Sequence, residues 1–203
     1  MNFVYFLIVI AAGYLLGSLS SSLLLSRFGW GKDVRKHGSG NAGATNMARV
    51  FGLGAGFATL AGDMLKAAAA MGLGSYLLGD AGIAAGGCAC ILGHCFPVYH
   101  HFRGGKGISV GAMIGLFVDW RVFLGIVAVF LIVAFLTKKV SAGSLAASVS
   151  IVFFALLFHV STPKLILAIF AMCVAIFQHR SNIKRLAEGT EADFKAAEPG
   201  KKP

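Results

Sequence analysis

Lys106 is bracketed by Gly104, Gly105 and Gly107 in HCFPVYHHFRGGKGIS, residues 94–109, immediately ahead of an apolar run. An ammonium among glycine N–H groups at the start of a helix can hold a phosphate, because the helix dipole and the unbonded amides both favour an anion there. This is not a Walker A loop, which needs Ser or Thr directly after the lysine and a glycine five positions before its second glycine. Gly107 and His100 stand at those places. A basic anchor with a tight turn at a membrane surface explains the same residues without a ligand.

A second polar stretch reads HGSGNAGATNMARVFG, residues 37–52, with no acidic side chain. Gly38, Gly40 and Gly43 permit the turns that gather successive N–H groups into an anion nest. Ser39, Asn41, Thr45 and Asn46 supply short polar groups, and Arg49 a planar fork suited to phosphate or carboxylate. The competing reading is a solvated loop with a helix cap at Thr45 or Asn46. The third stretch is QHRSNIKRLAEGTE, residues 178–191. His179 and Asn182, three apart, share a helix face, while Arg180, Lys184 and Arg185 are suited to lipid headgroups. Asp63 and Lys66 lie within an apolar stretch, where ionisable groups are costly and mark a functional site or a structural ion pair between helices.

The elements that position these residues belong to a membrane. Of the 203 residues 57% are hydrophobic, with a mean hydropathy of +0.80. That composition predicts an integral membrane protein. Apolar runs near 2–26, 58–79, 81–98, 107–118, 121–137, 142–158 and 163–178 predict an all-α, polytopic helical bundle of about seven transmembrane helices. The fourth run is short enough to be half of a hairpin. The stretch from Phe51 to Gly79 exceeds one crossing, and Gly52, Gly54 and Gly56 offer a break after a short interfacial segment. That break would bring Asp63 and Lys66 near the loops. The first run lacks the basic start of a secretory signal and is read as a retained helix.

Fifteen of the eighteen lysines and arginines fall in alternate loops and the tail, which places the N-terminus outside and the C-terminus in the cytoplasm. The formal charge of +10 then describes a cytosolic face for anionic lipid or phosphate; no aromatic-interleaved basic patch points to nucleic acid. A single membrane domain spans 1–203, with a cytoplasmic tail from about 180 that finishes as a short surface helix and a frayed GKKP end. Cys88, Cys90, His94 and Cys95 do not have zinc-site spacing, so no metal is expected. The four cysteines lie in apolar runs rather than in a disulfide framework. No Asp lies five residues after any of the six histidines, so the His and Asp pair of many thioester-dependent acyltransferases is missing.

In combination, GSGNAGATNMAR, GDMLK, GHCFPVYHHFRGGKG and HRSNIKRLAEGTE resemble, in order and spacing, the bacterial membrane acyl-phosphate:glycerol-3-phosphate acyltransferases, and the resemblance covers nearly the whole chain. It implies transfer of a fatty acyl group from acyl phosphate to the 1-hydroxyl of glycerol 3-phosphate, giving lysophosphatidic acid and phosphate, without a cofactor, at the cytoplasmic face of the bacterial inner membrane. By motif, Ser39, Arg49, Lys106, His179 and Asn182 match required positions, and Gly104, Gly105 and Gly107 the phosphate-binding loop. Asn41, Thr45, Asn46 and Lys66 become substrate contacts, and Glu191 a structural acid. Ala42 and Ala67 depart from the usual Pro and Gly, the first loosening the loop. The implied chemistry needs no covalent nucleophile, since acyl phosphate is already activated. The competing class is a transporter of a phosphorylated metabolite. Against it stand outer loops poor in charge and the lack of the interrupted symmetry of repeat carriers.

Overall fold

Glycine decides where the long apolar runs bend. The computed structural model describes residues 2–197 (the side chain of Asn2 excepted), and these form α1 (Asn2–Ser18), α2 (Ser21–Trp30), α3 (Ala44–Phe51), α4 (Leu53–Cys95), α5 (Ile108–Val118), α6 (Trp120–Thr137), α7 (Val140–Leu157), α8 (Thr162–Gln178) and α9 (Arg180–Ala187). The fold is all-helical, with several apolar helices. Gly79, at φ 58° and ψ −140°, folds α4 back on itself into arms 53–78 and 80–95. The arms touch backbone to backbone, because a Cβ on Gly74 would lie 2.1 Å from the Gly82 carbonyl oxygen. Small residues let helices approach this closely in place of a hydrophobic drive that lipid does not supply. The second arm meets α1 in the same way, since a Cβ on Gly17 would lie 2.2 Å from the Cys90 carbonyl oxygen.

One expected element is divided, and two others keep their expected form. The run 2–26 is two helices rather than one, because Ser20 leaves the helical conformation and caps α2, its Oγ accepting from the Leu23 N–H at 3.4 Å. The break frees the Leu19 carbonyl. A glycine break does occur ahead of α4, at Gly52, where φ is 90° and ψ 169°. α5 has 11 residues, about 16 Å of helix, less than the roughly 30 Å of hydrocarbon in a bilayer. By length and apolarity, Phe3–Trp30, Leu53–His100, Trp120–Thr137 and Val140–Leu157 qualify as candidate spans, and the bent pair α8 and α9 makes a fifth. The 48-residue stretch among them is the one that Gly79 folds in two.

Buried Ala67, Met71, Cys90, Ile91, Val110 and Leu167 join α4, α5 and α8 into one core. The polar connections sort to opposite ends. At one end Asp80 pairs with Lys164 at 3.3 Å and accepts from Ser161 at 2.6 Å. At the other, Arg35 donates to the His100 carbonyl, while the tail crosses back: the Phe194 N–H bonds Lys138 O and the Ala197 N–H bonds Ala48 O, both at 3.1 Å. The final GKKP, with Lys201 and Lys202, lies outside the described residues.

Candidate active site

A cavity of about 900 Å³ lies at the loop-rich end and reaches between α5, α6 and α7. Its wall includes Ser39, Asn41, Thr45, Asn46, Arg49, Lys106, Gly107, His179 and Asn182, so nine of the twelve predicted site residues share one space. Lys66, Gly104 and Gly105 are not on the wall.

The loop 37–46 is built around Asn46, which is 1% exposed. Its Oδ1 accepts the Ser39 N–H at 2.8 Å, and its Nδ2 donates among the carbonyls of Val34, His37 and Asn41 at 3.0–3.1 Å. Those bonds occupy the amide, so Asn46 organises the loop, and Ser39 keeps its hydroxyl for the cavity. Gly38 is required here: its φ is +59° and a Cβ would lie 2.3 Å from Asn46 Oδ1. Arg49 makes no hydrogen bond or ion pair among the described residues, which leaves its guanidinium uncommitted on the cavity wall.

The GGKG segment is clamped rather than open. The N–H groups of Gly104 and Gly105 donate to the carbonyls of Cys95 and His94 at 3.2 and 3.0 Å, and Gln178 Nε2 donates to Gly105 O at 3.0 Å. These two glycines therefore do not offer the N–H nest that their spacing predicts. They serve close packing, since a Cβ on Gly105 would lie 2.2 Å from His94 Nε2. The anion-facing part is Lys106 with Gly107 and the start of α5, where helix N–H groups lack intrahelical partners.

Lys106 donates to Asn182 Oδ1, and Asn182 Nδ2 donates to Glu191 Oε1 at 2.6 Å. The same carboxylate accepts from Ser141 Oγ and Arg185 Nε, each at 2.6 Å. Burial pushes the Glu191 carboxyl up, and the bonds from Ser141, Asn182 and Arg185 outweigh it, so its pKa is lowered. Burial, helped by the charges of Arg185 and Arg49 and opposed by Glu191, brings the Lys106 ammonium down to about 8. His179 sits at the joint where α9 turns 61° away from α8, and its Nδ1 donates to the Ala175 carbonyl at 2.8 Å. With the proton on Nδ1, Nε2 is an acceptor.

Lys66 has its donors committed within the protein. Its Nζ reaches Leu19 O at 2.6 Å, His94 Nδ1 at 3.1 Å and Asp63 Oδ1 at 2.9 Å, which accounts for all three of its donors. Arg185 lines the cavity and pairs with Glu191 instead of facing headgroups, and its place three residues after Asn182 was the available signal. His94 also lines the cavity, a position that a reading of HC as a soft metal-ligand pair obscures.

This architecture has close relatives. A family model described as glycerol-3-phosphate acyltransferase matches residues 7–189. The glycerol-3-phosphate acyltransferase of Thermoanaerobacter pseudethanolicus is 40% identical over 188 residues, covering 93% of this chain and 95% of its own, and that of Bacillus subtilis is 38% identical over 93% and 97%. Among solved structures, the integral membrane glycerol 3-phosphate acyltransferase PlsY in its glycerol 3-phosphate form superposes with a TM-score of 0.89 at 31% identity, over 94% of this chain and 96% of that one. Its lysophosphatidic acid form gives 0.86 at 30%, over 94% and 95%. With the match running almost end to end and the polar motifs meeting in one cavity, the chain belongs to the glycerol-3-phosphate acyltransferase family.

Proposed function

We propose that the protein transfers a fatty acyl group from acyl phosphate to the 1-hydroxyl of glycerol 3-phosphate, yielding lysophosphatidic acid and inorganic phosphate in the first acylation of phospholipid synthesis. The observation that carries this reading is the two-part cavity. Uncommitted Arg49, Lys106 and the start of α5 stand at a polar end, and Phe123, Ile126, Val127, Phe130 and Ile151 line the apolar remainder. An acyl phosphate has the same division into a doubly charged head and an apolar tail. The two PlsY forms, with glycerol 3-phosphate and with lysophosphatidic acid, support the acceptor and the product.

In the proposed reaction the acceptor oxygen attacks the acyl carbonyl. The new ester C–O bond forms, the C–O bond to phosphate breaks, and phosphate departs with the electron pair and takes the hydroxyl proton. Arg49 and Lys106 hold the phosphates, Ser39 and His179 Nε2 orient the acceptor, Asn41 and Thr45 add contacts, and Asn182 aims Lys106. No cofactor is called for, because the donor carries its own activation. The donor's phosphate is the preferred base, since the partner of His179 is a backbone carbonyl rather than a carboxylate. His179→Gln is then expected to lower kcat about tenfold, the worth of one hydrogen bond, with the shape of the pH profile unchanged. A loss of about a thousandfold, together with disappearance of the acid limb, would assign the base to His179.

The protein is further proposed to cross the bacterial cytoplasmic membrane seven times, with the N-terminus outside, the C-terminus inside and the cavity facing the cytoplasm. The sorting of the basic loops and tail to the cavity end, opposite Asp80 and Lys164, supports this. A pH signature follows from Lys106. Its protonated form binds the anion, and with the ammonium brought down to about 8, kcat/KM is expected to fall about tenfold per pH unit above that value. Lys106→Arg, charged throughout, removes the slope while lowering the rate. Purified protein in detergent, given acyl phosphate and glycerol 3-phosphate with acyl thioester as a parallel donor, tests the whole reading. Lysophosphatidic acid and phosphate from acyl phosphate alone are expected. Silence from both donors in folded protein would transfer the cavity to a carrier, which releases glycerol 3-phosphate unchanged.

A further inference from the structure

We propose that His94 is a second histidine of the active site, donating from Nε2–H to a substrate phosphate oxygen held beside Lys106, with Asp63 and Lys66 fixing its tautomer. The inference rests on the proposed acyl transfer. Asp63, Lys66 and His94 are 1%, 8% and 6% exposed and form one closed cluster. The Asp63 carboxylate accepts from Ser21 Oγ at 3.0 Å and pairs with the Lys66 ammonium at 2.9 Å. His94 Nδ1 faces the Lys66 ammonium at 3.1 Å and the Asp63 carboxylate at 3.7 Å; an ammonium has only donors, so the closer contact takes Nδ1 as its acceptor. The proton of the neutral ring is therefore on Nε2.

That nitrogen is placed to use it. His94 is on the cavity wall, Nε2 lies against Gly105, next to Lys106, and it has no hydrogen-bond partner among the described residues. It is open to the cavity, where an anion beside Lys106 would supply its acceptor. The two histidines of the cavity then have opposite, fixed roles. His179 holds its proton on Nδ1 against Ala175 and accepts at Nε2, whereas His94 accepts at Nδ1 and donates at Nε2. Lys66, far from being a substrate ligand, is a positioning residue that acts through His94.

Kinetics of His94→Phe and His94→Gln, with acyl phosphate and glycerol 3-phosphate varied separately, test the contact. Phenylalanine fills the space without a donor, and glutamine restores one. His94→Phe is expected to lower kcat/KM about thirtyfold, with His94→Gln within about fivefold of the wild type. The substrate whose KM rises identifies which phosphate is held. Unchanged KM and kcat in folded His94→Phe would overturn the proposal, as would equal losses in both variants. Nitrogen NMR of histidine-labelled wild-type protein in micelles reads the tautomer without depending on any variant's folding or on turnover. His94 is expected to show a protonated Nε2 that shifts on adding inorganic phosphate and an unprotonated Nδ1, with His179 showing the reverse. A proton on His94 Nδ1, or no shift with phosphate, would overturn it. Failure of acyl transfer by the wild type, with that signature intact, would instead sink the proposed reaction and leave His94 an anion donor.

Discussion

Lys106→Ala is expected to lower kcat/KM for acyl transfer by about a thousandfold, near 4 kcal/mol, with the protein still folded. The magnitude follows from where the ammonium sits. Lys106 is half-buried, its one bonded partner among the described residues is Asn182, and Asn182 is in turn held by Glu191. Glu191 is itself saturated by Ser141 and Arg185. The cation is thus held on a rigid relay and is not free to compensate by moving, which is the condition under which a fixed charge stabilises a developing one most strongly. In the proposed reaction, removing it deletes a charge-assisted bond to the substrate in a site partly shielded from water, and Arg49 is left for the other phosphate. The expected pattern is a large rise in KM for one phosphate substrate and a fall in kcat. Steady-state rates with each substrate varied, beside an unchanged thermal transition, check it. A loss below about tenfold would mean that Arg49 and the α5 terminus suffice.

Much of this site was legible because its residue types have few other uses in combination. Lys106, Arg49, Ser39, His179 and Asn182 each admit a bland role as a surface anchor or cap, but three polar stretches worded this way between apolar runs do not. The helices were legible for the same reason, since an apolar run of that length has to be a helix. The parts that the sequence leaves open depend on backbone bonds, which leave no mark in composition. Gly104 and Gly105 have the spacing of a nest, yet their N–H groups go to Cys95 and His94, and that choice is settled only when the second arm of α4 ends beside the loop. Asn46 looks like a ligand contact until the turn folds around it. Arg185 has the position of a headgroup contact in sequence, and its partner, Glu191, arrives only after Gly189 turns the chain, at φ +70°. Lys66 needed the break after α1, since the carbonyl it holds, that of Leu19, becomes available only where the helix stops.

Asp63→Ala is expected to be strongly destabilising. The carboxylate is 1% exposed and is the only acidic group beside the buried Lys66 ammonium among the described residues. Breaking such a pair from one side leaves an uncompensated charge and costs about 3–5 kcal/mol. For a chain of this size that is a fall of roughly 10 °C in the thermal transition in detergent. Ser21 Oγ loses its acceptor in the same substitution. The informative comparison is the double variant Asp63→Leu with Lys66→Met, which removes both charges and fills the space with apolar atoms. Buried pairs replaced in this way are often neutral in stability, so the double variant is expected to regain most of the transition temperature. Its activity is not expected to return, because the Lys66 ammonium no longer pins His94 Nδ1 and the ring loses its single tautomer. If stability and activity recover together, the cluster is only a rivet between α4 and the break after α1. If stability recovers and kcat/KM stays about tenfold down, the buried charges are kept for the orientation of one imidazole at the cavity wall.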